Sequence, residues 1–493
     1  MGDVKVGALF SDNMVLQQGM KCPVWGSADP GETVTVTIAG HAVKAKADKK
    51  GEWRLKLTPM KAGGPHQMTI AGKNVITVKN VLVGEVWVCS GQSNMGITLK
   101  ECMNYEQEIA ATNYPEIRLF HVPQRQGYEP AKDVKAQWRV CDPKSMERFS
   151  ALGYFFGRQL HNELKVPVGL IAGSCGSTKI EAWADVEGLK KALPDPMGRW
   201  EQDKKDAAAD MSKYDEAVAA WEKAKSEGPD AGKNLKDPED IKKKVARAPG
   251  WRPAGYWNGT IAPIVPYGIK GAIWYQGESN ADRPREYRKL MPALIESWRG
   301  HWGEGDFPFL IVSLSNWWDQ YPNPTESAWA EIREAQWMAA RKLPNCGLAL
   351  TIDIGDLRND HSPNKQEVGR RLALFALAKS YGKDVPYSGP EFTGLKMDGN
   401  KFRLSFSHAD GGLVAKPEGE LKGFAVAGAD RKFVWAQAKI EKNTVVAWSD
   451  AVKKPVAVRY AWATNPVCNL YNGAGLPAVP FRTDDWQSTA TGK

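Results

Sequence analysis

The segment Val86-Trp87-Val88-Cys89-Ser90-Gly91-Gln92-Ser93-Asn94-Met95 constrains this chain most. An apolar, β-prone run stops at Ser90-Gly91, a small polar cluster follows, and an amphipathic pattern then resumes. That order predicts a strand ending in a tight turn that opens a helix. A serine at such a junction sits at the carboxyl edge of a sheet, among free backbone N–H groups that favour negative charge. Serine at a helix start is also an ordinary cap. A nucleophilic role requires a base and oxyanion donors brought in by other segments.

The surrounding pattern says what kind of sheet this is. From Val81 to about Tyr381, short apolar runs alternate with helical stretches, which predicts an α/β domain with a parallel sheet. The expected strands are 85–89, 117–121, 168–172, 271–275, 309–313 and 348–354. Helical faces are carried by Leu152, Phe156, Leu160 and Leu164, and by Val368, Leu372 and Phe375. Residues 1–80 and 385–493 instead alternate with period two between turn signals such as Asp29-Pro30-Gly31, as small β-sandwich-like modules do. These patterns divide the chain at 1–80, 81–384 and 385–493. Inside the middle domain, about 200–250 is a charged insertion expected to form a solvated helical hairpin or a lid.

Composition excludes several classes. The net charge of +9 is spread along the chain, with no basic tract denser than Lys242-Lys243-Lys244, so nucleic acid is not the expected partner. No apolar run reaches the ~18 residues of a membrane span, and no signal peptide is visible. The seven cysteines show no metal-ligand spacing, and five lie beside apolar strand-like residues, so buried free thiols are expected. No metal or organic cofactor is called for. Twenty tryptophans fit either core packing or stacking on sugar faces. The oligomeric state is open.

In open α/β sheets, ligands bind beyond the carboxyl ends of the strands. At these ends the sequence places Gly91-Gln92-Ser93-Asn94, the glycine-broken loop Gly173-Ser174-Cys175-Gly176-Ser177-Thr178, Gln276-Gly277-Glu278-Ser279-Asn280, Asn316-Trp317-Trp318, and Gly355-Asp356-Leu357-Arg358-Asn359-Asp360-His361. A nucleophile candidate, backbone donors, amides and a histidine beside carboxylates thus share one edge. His361 is the best-placed base of the seven histidines, able to take the Ser93 proton and return it to a leaving alcohol.

Together these blocks resemble the SGNH/GDSL hydrolase superfamily, and within it the sialate O-acetylesterase family. Gly91-Gln92-Ser93-Asn94-Met95 is similar to the nucleophile block. Gly176 resembles the oxyanion glycine, and Trp274-Tyr275-Gln276-Gly277-Glu278-Ser279-Asn280 resembles the block that adds an amide donor. His361 with Asn364-Lys365-Gln366-Glu367 resembles the histidine block. The likeness extends to Leu9–Leu16 and Val24-Trp25-Gly26 at one end and to Arg459-Tyr460-Ala461-Trp462 at the other.

The resemblance implies an SGNH-type hydrolase core flanked by β-sandwich-like modules, and a secreted or periplasmic location. It implies a serine esterase that removes O-acetyl groups from a sugar, foremost 9-O-acetylated sialic acid. Ser93 and His361 would carry the chemistry, and Ser93 N–H, Gly176 N–H and Gln276 or Asn280 would form the oxyanion hole. Gln92, Asn94, Glu278 and Trp317 would line the substrate site. Arg252, Arg283 and Arg358 are candidates for the sialate carboxylate. Where the family has an aspartate two residues before the histidine, this chain has Asn359. The third member is then Asp360, Asp356, or a neutral Asn359 beside a Ser–His dyad. Other readings are an acetyl-xylan or other polysaccharide deacetylase, a glycosidase pairing Glu278 with Asp356 or Asp360, and a non-catalytic glycan-binding protein.

Overall fold

A computed structural model describes residues 3–227, 235 and 250–486. Its organising element is one 17-residue strand, β1 (Val75–Gly91). The first six residues alternate between exposed and covered positions, and the last eleven are all buried. The change follows from what each half pairs with. The first half lies antiparallel to the strand Gly63–Ala71 of the N-terminal β region, with one face toward solvent. The second half lies at the centre of a parallel sheet covered on both faces, the environment that selects a continuous apolar run. The compositional break near residue 80 therefore falls inside a single strand. Apolar residues from Val4 to Val83 accordingly share one core with the middle of the chain.

Six further strands complete the central sheet: β2 (Tyr114–His121), β3 (Trp138–Cys141), β4 (Val168–Ser174), β5 (Gly271–Tyr275), β6 (Phe309–Val312) and β7 (Cys346–Ala349). Their order is β3-β2-β4-β1-β5-β6-β7, parallel except for the β3 edge. Register explains how helices cover both faces. Trp87 stands opposite Gly271 and Ser90 opposite Trp274, so the two tryptophans point to opposite sides. Trp87 meets Phe156 of helix Ala151–Leu164 edge to face at 5.0 Å, whereas Trp274 meets Trp298 of helix Pro284–Trp302 at 5.9 Å.

The C-terminal region forms two four-stranded antiparallel sheets around its own core of Phe402, Leu404, Val426, Val445, Val458 and Tyr460. Leu350 and Ile352, just beyond β7, reach into that core. Arg333, on helix Ala328–Lys342, fastens the two regions together. It is fully buried and donates to the carbonyls of Leu314, Ser315, Ala463 and Thr464 at 2.6–2.8 Å.

The charged insertion begins as a helix, Pro196–Glu227, in which only Pro196, Ala207 and Ala224 are buried. The return arm of the expected hairpin lies outside the described residues. All seven cysteines are free, five of them buried. Among the described residues, no helix is long and apolar enough to cross a membrane.

Candidate active site

At the end of β1 the backbone turns through Gly91, where φ is +140° and a Cβ would lie 2.1 Å from the Tyr275 carbonyl oxygen. Only glycine fits both the conformation and the space. Gln92 N–H donates to the same carbonyl at 2.9 Å, so the turn that leads into Ser93 is fastened to β5. Ser93 is then the first residue of the short helix Ser93–Gly96. Its N–H has no acceptor within the helix.

His361 Nε2 lies 2.8 Å from Ser93 Oγ. Both residues are half-buried, open to solvent on one side. The Gly176 loop closes against them. Cys175 N–H donates to the Gly91 carbonyl at 3.1 Å, and a Cβ on Gly176 would sit 3.4 Å from Ser93 Cβ. The absence of a side chain at Gly176 thus keeps the space beside the serine open.

The acids stand differently from the sequence expectation. Asp360 Oδ1 lies 3.8 Å from His361 Nε2, on the serine side of the ring. Asp356 Oδ1 accepts the N–H groups of Arg358 and Asn359 at 2.8 and 3.2 Å, and so shapes the loop. Asn359 Oδ1 accepts the His361 backbone N–H at 2.9 Å. Among the described residues, the ring hydrogen bond of His361 is the one between Nε2 and Ser93 Oγ, and no carboxylate is hydrogen-bonded to Nδ1. The physical reason is local: adjacent side chains diverge, and Asp356 is held by the turn it caps.

The amides also differ from expectation. Gln276 is fully buried and gives its two N–H groups to the Thr178 carbonyl at 3.1 Å and Asn280 Oδ1 at 2.7 Å. Asn280 donates to Glu181 Oε2 at 2.9 Å and accepts from Ile180 N–H. These side chains brace the Gly176 loop from behind rather than offering donors to the cleft. Gln92 likewise accepts from Gly277 and Ser279 N–H at 3.4 Å.

Asn94 is buried and joins three segments. Its Nδ2 donates to Glu278 Oε1 at 2.6 Å and to the Asp360 carbonyl at 2.9 Å, while its Oδ1 accepts from Lys365 Nζ at 2.6 Å. Burial raises Glu278 to about 7 and lowers Lys365 to about 8. Lys365 stood in the histidine block without a role, and only its helical register beneath Asn94 reveals one. Trp317 is half-buried against Trp329 at 5.2 Å, and the ring that faces solvent is Trp318, 51% exposed. Of the three arginines, Arg283 pairs with Glu181 at 2.8 Å, Arg358 is exposed, and Arg252 is half-buried beside Tyr128.

Comparison with known proteins identifies the family. The family model for carbohydrate esterases, described as sialic acid-specific acetylesterase, matches residues 83–229 and 260–378. The sialate O-acetylesterase of Mus musculus is 31% identical over 96% of this chain and 93% of its own length. That of Homo sapiens is 30% identical over 97% and 92%. The crystal structure of a carbohydrate acetylesterase from Xanthomonas citri superposes with a TM-score of 0.83 at 33% identity, covering 98% of this chain and all of that one. The chain therefore belongs to the sialic acid-specific acetylesterase family of carbohydrate esterases.

Proposed function

We propose that the protein is a serine esterase that removes O-acetyl groups from sialic acid, with the 9-O-acetyl ester as its substrate. The observation that carries the mechanism is the 2.8 Å contact between Ser93 Oγ and His361 Nε2 beside the open space at Gly176. The family relationship supports the substrate class.

In this reading His361 takes the Ser93 proton through Nε2 as Oγ attacks the acetyl carbonyl. The N–H groups of Ser93 and Gly176 hold the tetrahedral oxyanion, each such donor being worth ~10²–10³ in rate. His361 then protonates the departing sugar hydroxyl. Water, deprotonated by the same nitrogen, releases acetate from the acetyl-enzyme. Ser93 and His361 act as a dyad. Asn359 and Asp356 set the position of the histidine backbone, and Asp360 adds a negative charge near the imidazolium.

Glu278 is a poor glycosidase acid here, because its carboxyl is bonded to Asn94 under the nucleophile turn. We also assign the protein to a secreted or periplasmic location on family likeness, which cell fractionation would check.

The test is acetate release from 9-O-acetylated sialic acid and from acetyl-xylan. Ser93→Ala and His361→Ala should each lose about 10⁴-fold or more on the sialic acid ester. Unchanged rates in both variants would overturn the mechanism, and preference for acetyl-xylan would overturn the substrate.

A further inference from the structure

Beside the nucleophile, the turn Gly176-Ser177 carries donors that the fold itself does not use. Among the described residues neither the Gly176 N–H nor the Ser177 N–H has an acceptor, and both residues are exposed. Ser177 also has a left-handed backbone, with φ of +57°. A serine keeps that conformation where its flanks over-determine it. What holds the flanks therefore decides where the Gly176 N–H stands against Ser93.

Both flanks end on one aromatic pair. After the turn, the Thr178 hydroxyl donates to the Cys175 carbonyl at 2.8 Å and accepts the Trp183 indole N–H at 3.0 Å. Before it, the Cys175 thiol donates to the Tyr256 hydroxyl at 2.9 Å. Trp183 and Tyr256 are both buried and stack on each other, with centroids 4.9 Å and planes 16° apart. Their backbones are joined as well, since the Ala254 N–H donates to the Glu181 carbonyl at 2.9 Å. One stack thus grips the chain on either side of Gly176-Ser177.

The grip reaches the nucleophile through Cys175. Its N–H donates to the Gly91 carbonyl at 3.1 Å, so its N–H, its carbonyl and its side chain are each engaged. Gly176 follows with no side chain of its own to anchor, and a Cβ there would lie 3.4 Å from Ser93 Cβ. The direction of the Gly176 N–H is therefore inherited from Cys175. Deleting the thiol contact leaves the backbone bonds in place and tilts that donor. A tilted donor costs rate where negative charge develops, in the transition state, and little in the ground state.

We propose that Tyr256, stacked on Trp183 and bonded to Cys175, is a positioning residue that aims the Gly176 N–H at the oxyanion; this rests on the serine-esterase reading above, in which that N–H is a donor. Tyr256 acts through Cys175 and touches no reacting atom.

The experiment reads kcat and KM on 4-nitrophenyl acetate, together with the Ki of phenylboronic acid. The boron bonds to Ser93 Oγ while the serine proton passes to His361, which leaves a tetrahedral anion in the oxyanion hole. That Ki does not depend on how much enzyme is folded. Tyr256→Phe keeps the stack and removes the hydroxyl, and Cys175→Ala removes the thiol. Each should lower kcat roughly 10- to 100-fold with little change in KM, and raise Ki by a similar factor. The double variant should lose no more than either single one, because both delete the same contact. Cys175→Ser, which keeps a donor and acceptor at that position, should recover most of the rate. Wild-type kcat in both single variants would overturn the proposal, as would losses that multiply in the double variant or a Ki that stays constant while kcat falls. Wild-type kcat in Ser93→Ala would overturn the serine-esterase reading and this proposal with it, a failure that the Tyr256 and Cys175 variants do not produce.

Discussion

Lys365 and Asn94 meet at 2.6 Å, ammonium to amide oxygen, in a fully buried space beneath the nucleophile turn. The other end of the Asn94 amide holds Glu278 and the Asp360 carbonyl. One side chain therefore ties the turn that carries Ser93 to the loop that carries His361.

That linkage predicts a positioning effect. Asn94→Ala would leave the Lys365 ammonium and the Glu278 carboxyl without their shared partner and free the His361 loop from the nucleophile turn. kcat should fall by about 10²-fold with a smaller change in KM, because misplacing reacting groups by an ångström has this order of effect. Steady-state kinetics on an activated acetyl ester would measure it. A variant with full kcat would show that the Ser93–His361 distance is held by other contacts.

Asp360 should matter less than a triad acid does. A carboxylate on the far ring nitrogen fixes the tautomer, and its amide replacement costs ~10⁴ in a triad enzyme. Here Asp360 lies 3.8 Å from Nε2 and is 37% exposed, where the pair is screened by water. Asp360→Asn is expected to lose less than about 10-fold in kcat. Asp356→Ala should lose more, since it removes the acceptor for two loop N–H groups. Parallel kinetics of the two variants would decide, and a loss near 10⁴ in Asp360→Asn would restore the triad.

The parts of the molecule that could be read from sequence are those where a local pattern and its physical cause coincide. The buried half of β1 shows as a continuous apolar run because both faces of a parallel strand are covered. The turn at Gly91 shows because only glycine tolerates the approach of Tyr275 O. The N-terminal boundary was legible only as a change of environment, since pairing on β1 switches partners without a linker. Side-chain direction was not legible at all. Gln276 and Asn280 sit at a strand end as oxyanion amides would, yet Thr178, Glu181 and Tyr287 draw them inward. Trp317 and Trp318 are equivalent letters in a loop, and the φ of +75° at Trp318 accompanies the division between one packed and one exposed ring.

Glu278 gives the stability curve a pH signature. Its folded value of about 7 lies above the ordinary 4.5, so the folded chain holds a proton that the unfolded chain has released. The stabilisation is complete below the unfolded value and is lost as pH rises through about 7, on the order of 3 kcal/mol from one group. Lys365, lowered to about 8, acts at higher pH: between that value and its ordinary 10.5 the unfolded chain binds the extra proton, so stability recovers. Glu304, raised by burial to about 8, loses its share of stability over the same range as Glu278, so denaturant midpoints from pH 4.5 to 10 should show a minimum near 8 in the wild type. Glu278→Gln should make the acidic limb less steep up to about pH 7 and leave the share of Glu304 in place; an unchanged limb would assign it to Glu304 alone.

Arg333 supplies the last prediction. Among the described residues it has no carboxylate partner within ion-pair distance, and burial lowers it to about 9 without overcoming four carbonyl contacts. Arg333→Met preserves much of the apolar stem but removes a donor from all four carbonyls. Ser315 O keeps Trp329 Nε1 at 2.8 Å and Thr464 O keeps the Trp317 N–H at 3.4 Å, while the carbonyls of Leu314 and Ala463 lose the donor they have among the described residues. Each buried acceptor so abandoned costs about 1–3 kcal/mol, so a total destabilisation of at least ~2 kcal/mol is expected. Because two of these carbonyls belong to the C-terminal region and two to the segment after β6, the loss should loosen the joint between regions before it unfolds either core. Hydrogen exchange would read this as faster exchange at residues 460–465, with β1 and β5 still protected. Uniformly faster exchange across the chain would instead place Arg333 within a single cooperative unit.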